Sequence, residues 1–443
     1  MSALKHHIFA HAVAAWGHTK PLVAFCVLVL ESRSDTVVTI ATNESMYPKA
    51  LAELYKLPKE RLYRIQERMN ILDVVGHTMM LLPSFPQVDS AFEVFYKQSG
   101  TVKCQTSGRI IHATDLPRPT VAIIDIVPVP KGELLQLPGY PKMYDYEFFP
   151  QPSDMPHGIF WRDGQIALYM TQGIINVATS AVEKEAIDTL RGYYKSIGID
   201  YLNVAPLAIL SEPSTPQDET SESDKQVISF LDNMEARFGP KSVIYISFGT
   251  LNWPDLPSLT AAVEELVTAQ VPMLLAHPAA VLSEEMKRLV SESGLGMEVQ
   301  WAPQQRVLAH SATGWFITHG GWNSVQEACL NRVPPVIWPI SAEQPFNAAL
   351  LSVKFKAAFE LVEVRRGIMG TRKPYRCGDG DTPAFTIASV RNEIRGLIAK
   401  MRNDEGRMVR ANFESLCAEL AKAWDDGGEA KQEMDRFLNT YLI

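Results

Sequence analysis

Residues 317–327 read ITHGGWNSVQE: β-forming residues halt at His319, two glycines follow, and helix-compatible residues begin at Trp322. A strand that meets a helix across two glycines leaves the first N–H groups of that helix unpaired. The positive end of the helix dipole stands behind them, and bare backbone lets an anion approach closely. Such a corner can hold a phosphate. Asn323 and Ser324 are also common helix N-caps, so the same residues equally describe a capped helix without a ligand. Glu327 falls four residues after Asn323, on the same helix face and one turn deeper. A carboxylate there is either a surface group or an acceptor for the vicinal hydroxyls of a ribose.

Other chemistries lack their residues. The sequence contains no GxxxxGK[ST], no HExxH and no GxSxG, which removes the P-loop, zincin and nucleophile-elbow readings. "GLG" (294–296) lacks a third glycine, so it gives no support to dinucleotide binding. His310 and His319 are too far apart to ligate one metal from a helix, and no cysteine or carboxylate cluster joins them. No metal site is expected. Phosphate binding without a metal motif is what remains.

The elements that must position this corner are strands and helices in alternation. "HHIFAHAVAAW" (6–16) reads as a buried strand, followed by Gly17-His18 and a helix over 20–32, then a strand over 36–42. This is a βαβ unit with a parallel sheet. "TVAIIDIV" (120–127) is a further buried strand. After "SEPSTPQDETSESDK" (211–225), a polar stretch that cannot form a core, the alternation restarts. Strands are expected over 242–250, 272–277, 297–303, 314–320 and 334–340, with a helix over 256–270 started by a capping Ser or Thr. The sequence therefore predicts two doubly wound α/β domains: 1–210, a linker over 211–225, and 226–415, closed by helices over 416–443. Ligands of such folds bind outside the carboxyl ends of the strands.

Composition bounds the partners. The chain has 443 residues, 46% of them hydrophobic, with 42 basic against 50 acidic residues. A net charge of −8 without a basic block excludes a nucleic-acid surface. The arginines of 365–366 and 370–376 read as solvated loops. Five scattered cysteines indicate reduced thiols. The N-terminal apolar stretch is broken by His6, His7, His11, His18, Lys20 and Pro21, so neither a signal-peptide core nor an integral membrane segment is expected. A cytoplasmic monomer is the expectation.

Residues 301–344, "WAPQQRVLAHSATGWFITHGGWNSVQEACLNRVPPVIWPISAEQ", resemble without a gap the donor-binding signature of family 1 UDP-glycosyltransferases of the plant and fungal small-molecule type. That resemblance implies the GT-B fold, two Rossmann-like domains facing a cleft. It also implies roles. Trp301 would stack on uracil, and the backbone of Ala302 would pair with the base edge. Gln304 and Glu327 would hold the ribose hydroxyls. His319, Gly321, Asn323 and Ser324 would hold the diphosphate, joined by Ser247 and Thr250 of "SFGT" (247–250). Trp322, Glu343 and Gln344 would hold the sugar, and the terminal glutamine is associated with UDP-glucose. "AWGHTKPL" (15–22) is similar to the family's first corner, with His18 as general base, and "AIIDIV" (122–127) to the strand whose Asp125 orients that base. Taken alone, His18 reads first as a satisfied loop histidine, and Asp125 is ambiguous between an orienting group and a cap; only the pair, with a recognised donor site, points to catalysis.

The resemblance implies an inverting enzyme. It would move glucose from UDP-glucose, a donor co-substrate with no separate cofactor, to a hydroxyl of an apolar phenolic or terpenoid acceptor. Residues 79–95 and 148–161 either line the acceptor pocket or form core. One stretch departs from the family: beyond Asp125 the chain passes almost directly into a Pro-rich loop (125–150), so a βα unit of the first domain is shortened. Two other functions stay open for that reason. One is a sugar-nucleotide-binding protein with lost or altered catalysis, the other an enzyme of this fold acting on the UDP-sugar itself.

Overall fold

The computed structural model describes residues 4–11, 16–74, 94–95, 97–107, 109–116, 119–121, 132–152, 171–207, 222–249, 253–278, 282–378, 380 and 382–442, the side chains of 17, 18 and 119–121 excepted. A sheet in the first half runs β3-β2-β1-β6, all parallel, from β1 (His6–His11), β2 (Thr36–Thr42), β3 (Met69–Asp73) and β6 (Pro119–Val121). β1 and β2 are buried along almost their whole length, histidines and threonines included, because both faces of the sheet are covered. Ile8 and Ala10 face one buried cluster, and Phe9 between them faces another. Helices α1 (Trp16–Ser32), α2 (Tyr47–Tyr55) and α3 (Lys59–Ile65) link these strands, and two small hairpin strands, β4 (Thr101–Lys103) and β5 (Ile110–His112), follow.

Of the strand expected over 6–16, residues 6–11 form β1 and 12–15 lie outside the described residues; α1 begins at Trp16, so His18 lies inside the first turn of the helix. Pro21 is carried within that helix. Its ring nitrogen withholds the N–H that would bond the Gly17 carbonyl. The hairpin β7 (Leu134–Leu135) and β8 (Met143–Tyr144) then leads to a parallel pair, β9 (Gly173–Asn176) and β10 (Asp200–Asn203), joined by α4 (Ser180–Ser196).

In the second half, α5 (Glu222–Phe238) starts inside the expected linker, so residues 222–225 are helical. The reason is local: Glu222 and Asp224 sit in its first turn, where the dipole favours acidic side chains. The six-stranded parallel sheet has the order β13-β12-β11-β14-β15-β16. Its strands are β11 (Val243–Ser247), β12 (Met273–Ala276), β13 (Gly296–Val299), β14 (Thr313–Thr318), β15 (Pro335–Ile337) and β16 (Phe359–Glu360). Val243 and Tyr245 face one core cluster, Ile244 and Ile246 the other. Between the strands run α6 (Leu256–Thr268), α7 (Glu284–Glu292), α8 (Gln304–Ala309), α9 (Trp322–Leu330) and α10 (Gln344–Ala349). The cap of α6 is Asp255, which accepts from the Ser258 N–H at 3.0 Å, and not a Ser or Thr.

A short turn, α11 (Gly367–Gly370), precedes α12 (Ile387–Met401) and α13 (Asp404–Ala421). α14 (Glu429–Tyr441) crosses back to the first half, where Met434, Phe437 and Leu438 join the cluster of Ile8 and Val38. Of the arginines expected in solvated loops, Arg372 is exposed, but Arg365 and Arg376 are drawn into ion pairs. Arg365 is fully buried against Glu360, and Arg376 pairs with both Glu360 and Glu147. Glu147, itself buried, also accepts from the N–H groups of Tyr144 and Tyr375. Residues 132–152 are thereby strapped to the second half, with Gln151 donating to Val364 O and Tyr146 to Lys373 O. No helix among the described residues is long and apolar enough to cross a membrane.

Candidate active site

β11 pairs with both β12 and β14, so the chain departs from it in opposite directions and opens a crevice at the carboxyl ends of β11 and β14. Ser247 and Thr318, the last residues of the two strands, are in register. The loops beyond them therefore run side by side, and a Cβ placed on Gly249 would come within 3.2 Å of His319 Cε1. Gly320, at φ +81°, turns the chain, and the Asn347 amide holds its carbonyl at 2.9 Å.

Helix α9 then starts with Gly321 at its N-cap and no side chain capping it. Asn323 and Ser324, both plausible caps by type, are instead the second and third helical residues. The N-cap residue supplies no side chain, so the positive end of the helix dipole points at the crevice, with the Trp322 N–H taken by Glu343 Oε1. Burial pushes the His319 imidazole down to about 4, so the ring is neutral at physiological pH. Its Nδ1 lies 3.3 Å from the Thr318 hydroxyl. With that hydroxyl donating to Nδ1, Nε2 carries the proton and is a donor beside the helix start.

One helical turn along, Glu327 is buried and both its carboxylate oxygens are engaged. Gln304 Nε2 donates to one, and Lys20 Nζ, from the first half, pairs with the other. Tyr245 OH in turn donates to Gln304 Oε1 at 3.1 Å. Nearby, Ala302 is buried while Trp301 keeps 57% of its surface exposed. A bare indole at the end of a strand is a platform for a flat ring.

Toward the first half, the Trp322 N–H donates to Glu343 Oε1 at 3.1 Å, and the indole Nε1 to Val177 O. The Gln344 carbonyl oxygen accepts from the N–H groups of Ile340 and Ser341, both at 2.9 Å, which fixes the side chain at the start of α10. Ser247, Trp301, Ala302, Gln304, His319, Gly321, Trp322, Asn323, Ser324, Glu327, Glu343 and Gln344 thus all stand at the carboxyl edge of one sheet or on the turns that follow it. Thr250, Asp125 and the His18 side chain lie outside the described residues. Residues 79–93 and 153–161 of the expected acceptor lining lie outside them too.

Three residues at the site were not expected from the sequence. Lys20 is one. Tyr140 and Glu183 are the others: the phenol donates to the carboxylate, with burial and then the nearby Glu343 pushing the Glu183 carboxyl up. Glu183 interrupts α4 with φ −125° and ψ 29°. That kink is the local signal, and it is invisible in a helix-compatible sequence.

Comparison with known proteins fits this geometry. Residues 235–371 match the family described as UDP-glucoronosyl and UDP-glucosyl transferase. The chain is 30% identical to the UDP-glycosyltransferase eriJ of Hericium erinaceus, over 97% of this chain and 98% of that protein. That alignment runs over 504 positions against 443 residues here, so at least 61 of them face no residue of this chain. It is also 28% identical to anthocyanidin 3-O-glucosyltransferase 1 of Fragaria ananassa, over 60% of this chain and 59% of that one.

Among solved structures, Phytolacca americana UGT2 complexed with UDP-2fluoro-glucose and pterostilbene superposes with a TM-score of 0.70 at 19% identity, covering 99% of this chain and 100% of the other. Medicago truncatula UGT71G1 complexed with UDP-glucose gives 0.69 at 19%, covering 98% of each. The fold is GT-B, as expected.

Proposed function

The chain belongs to the UDP-glycosyltransferase family, and from that premise we propose that it transfers glucose from UDP-glucose to a hydroxyl of an apolar small molecule, with inversion. The observation that carries this reading is the corner at 319–327: an uncapped helix start beside a neutral His319, with Gln304 and Glu327 linked one turn deeper. In this reading uracil stacks on Trp301 and pairs with the backbone of Ala302, while Gln304 and Glu327 hold the ribose. Ser247, Thr250, His319, Asn323, Ser324 and the N–H groups from Gly321 onward hold the diphosphate. Trp322, Glu343 and Gln344 hold the sugar.

His18 takes the acceptor proton as the alcohol attacks, and Asp125 fixes its tautomer and stabilises the imidazolium. Charge growing on the leaving UDP falls against the dipole of α9 and the His319 N–H, which are already in place. We place the enzyme in the cytoplasm as a monomer. Relatives whose names specify anthocyanidins, and a structural neighbour holding pterostilbene, support a phenolic acceptor.

The test is incubation with UDP-glucose and a panel of phenols and terpenoid alcohols, followed by mass spectrometry. Glycoside is expected. UDP-glucose bound without product would favour a binding protein, and altered donor without acceptor an enzyme acting on the UDP-sugar. His18→Ala is expected to abolish transfer while UDP still binds; retained turnover in that variant would remove His18 from the mechanism.

A further inference from the structure

The donor half gathers negative charge where it is expected to receive more. Within 317–327 the only basic side chain is His319, and burial keeps it neutral at physiological pH. Glu327 and Glu343 both face the same corner. A nucleoside diphosphate brings at least two further negative charges. The cation that meets this site comes from the other half of the molecule: Lys20, in the second turn of α1, pairs with Glu327 across 307 residues. Their side chains are only 18% and 8% exposed, so solvent screens the pair weakly.

This arrangement conflicts with the ribose role of Glu327 unless Lys20 moves. One carboxylate oxygen is taken by Gln304 and the other by Lys20, so a ribose hydroxyl donating to Glu327 must share or displace the ammonium. Glu327 and Asn323 are four residues apart on α9, which brings their Cβ atoms to about 5–6 Å. An ammonium released from Glu327 is thus one turn from the start of the helix, within the swing of a four-carbon stem.

We infer that Lys20 is a diphosphate ligand supplied by the first half, held on Glu327 when the site is empty and transferred to the phosphates when ribose takes the carboxylate. This rests on the donor-site reading above. It gives the site a joint check on two parts of the ligand, since ribose frees the cation and the diphosphate receives it. It also adds a full positive charge where the leaving group becomes more negative. Burial lowers the basicity of Lys20, but Glu327 and Glu53 more than offset this, so its charge persists.

The experiment compares Lys20→Met with the unaltered enzyme in titrations of UDP, UMP and uridine. Lys20→Met is expected to weaken UDP roughly 10- to 100-fold, the range of a lost charge-assisted hydrogen bond, and to change uridine less than roughly two-fold. Lys20→Arg should recover most of the UDP affinity, and kcat at saturating donor should fall in Lys20→Met. If instead UDP and uridine both bind equally well or more tightly in Lys20→Met, Lys20 is only a strap between the halves and the inference fails. Lys20→Gln repeats the comparison should the methionine variant not fold. Failure of the donor-site reading looks different, because the unaltered enzyme would then bind no UDP.

Discussion

Gly320 and Gly321 are adjacent, yet a methyl group added to each meets a different neighbour. At Gly320, with φ +81°, a Cβ would stand 2.5 Å from Ile337 Cγ2; at Gly321 it would stand 2.5 Å from His319 Nε2. Gly320→Ala therefore strains backbone and core together and is expected to destabilise the protein by at least about 1 kcal/mol. Gly321→Ala displaces the imidazole instead. It should weaken UDP by roughly 10-fold or more with little change in melting temperature, as titration calorimetry and thermal melts on the two variants would show. A melt that drops equally in both would refute the distinction. The turn at this corner was legible in the sequence because its glycines stand where a Cβ has no room. Lys20 was not legible. Nothing in Thr-Lys-Pro names a partner 307 residues away, since the pairing exists only once two sheets face each other.

Helix α12 carries a titratable link between elements. Glu393 accepts the N–H groups of Val362 and Glu363, at 2.7 and 3.0 Å, beyond the end of β16. Burial outweighs these hydrogen bonds and pushes its carboxyl up to about 7. The folded state therefore binds this proton more tightly than the unfolded state. Its contribution is fully present below about pH 4.5 and is lost as pH rises through about 7, at most about 3 kcal/mol in all. Glu393→Gln should flatten that part of the profile: between pH 5 and 8 the unaltered protein loses melting temperature relative to the variant. Parallel pH dependences for the two would show that Glu393 does not titrate in this window. At this scale the apolar strands of the second half were readable, because burial on both faces demands unbroken runs such as Val243–Ile246. Helix starts were harder to place. α1 opens four residues before Lys20 and α6 is capped by Asp255, because more than one local residue can serve. The β9–α4–β10 unit was not anticipated, its strands being four residues long and β9 only half-buried.

The whole molecule depends on contacts between distant segments. Glu147 in the strap binds Arg376, which also meets Glu360, the partner of the buried Arg365. Removing one member leaves buried charge uncompensated, so Glu147→Ala is expected to cost about 3–5 kcal/mol in denaturant unfolding. A loss below about 1 kcal/mol would mean that the strap is not held by this network. The alternating pattern pointed to two α/β halves, but the strap was read as a Pro-rich loop and the arginines it meets, Arg365 and Arg376, as solvated, because burial of charge is decided by tertiary pairing. The return of α14 has a consequence for biosynthesis. Phe437 packs on Phe25, and Leu442 is fully buried in the same cluster as Ile8. A ribosome therefore releases the opening βαβ unit long before the residues that complete its core exist. The first half to be synthesised is the last to finish folding, and it must wait with apolar surface uncovered until nearly the whole chain has emerged.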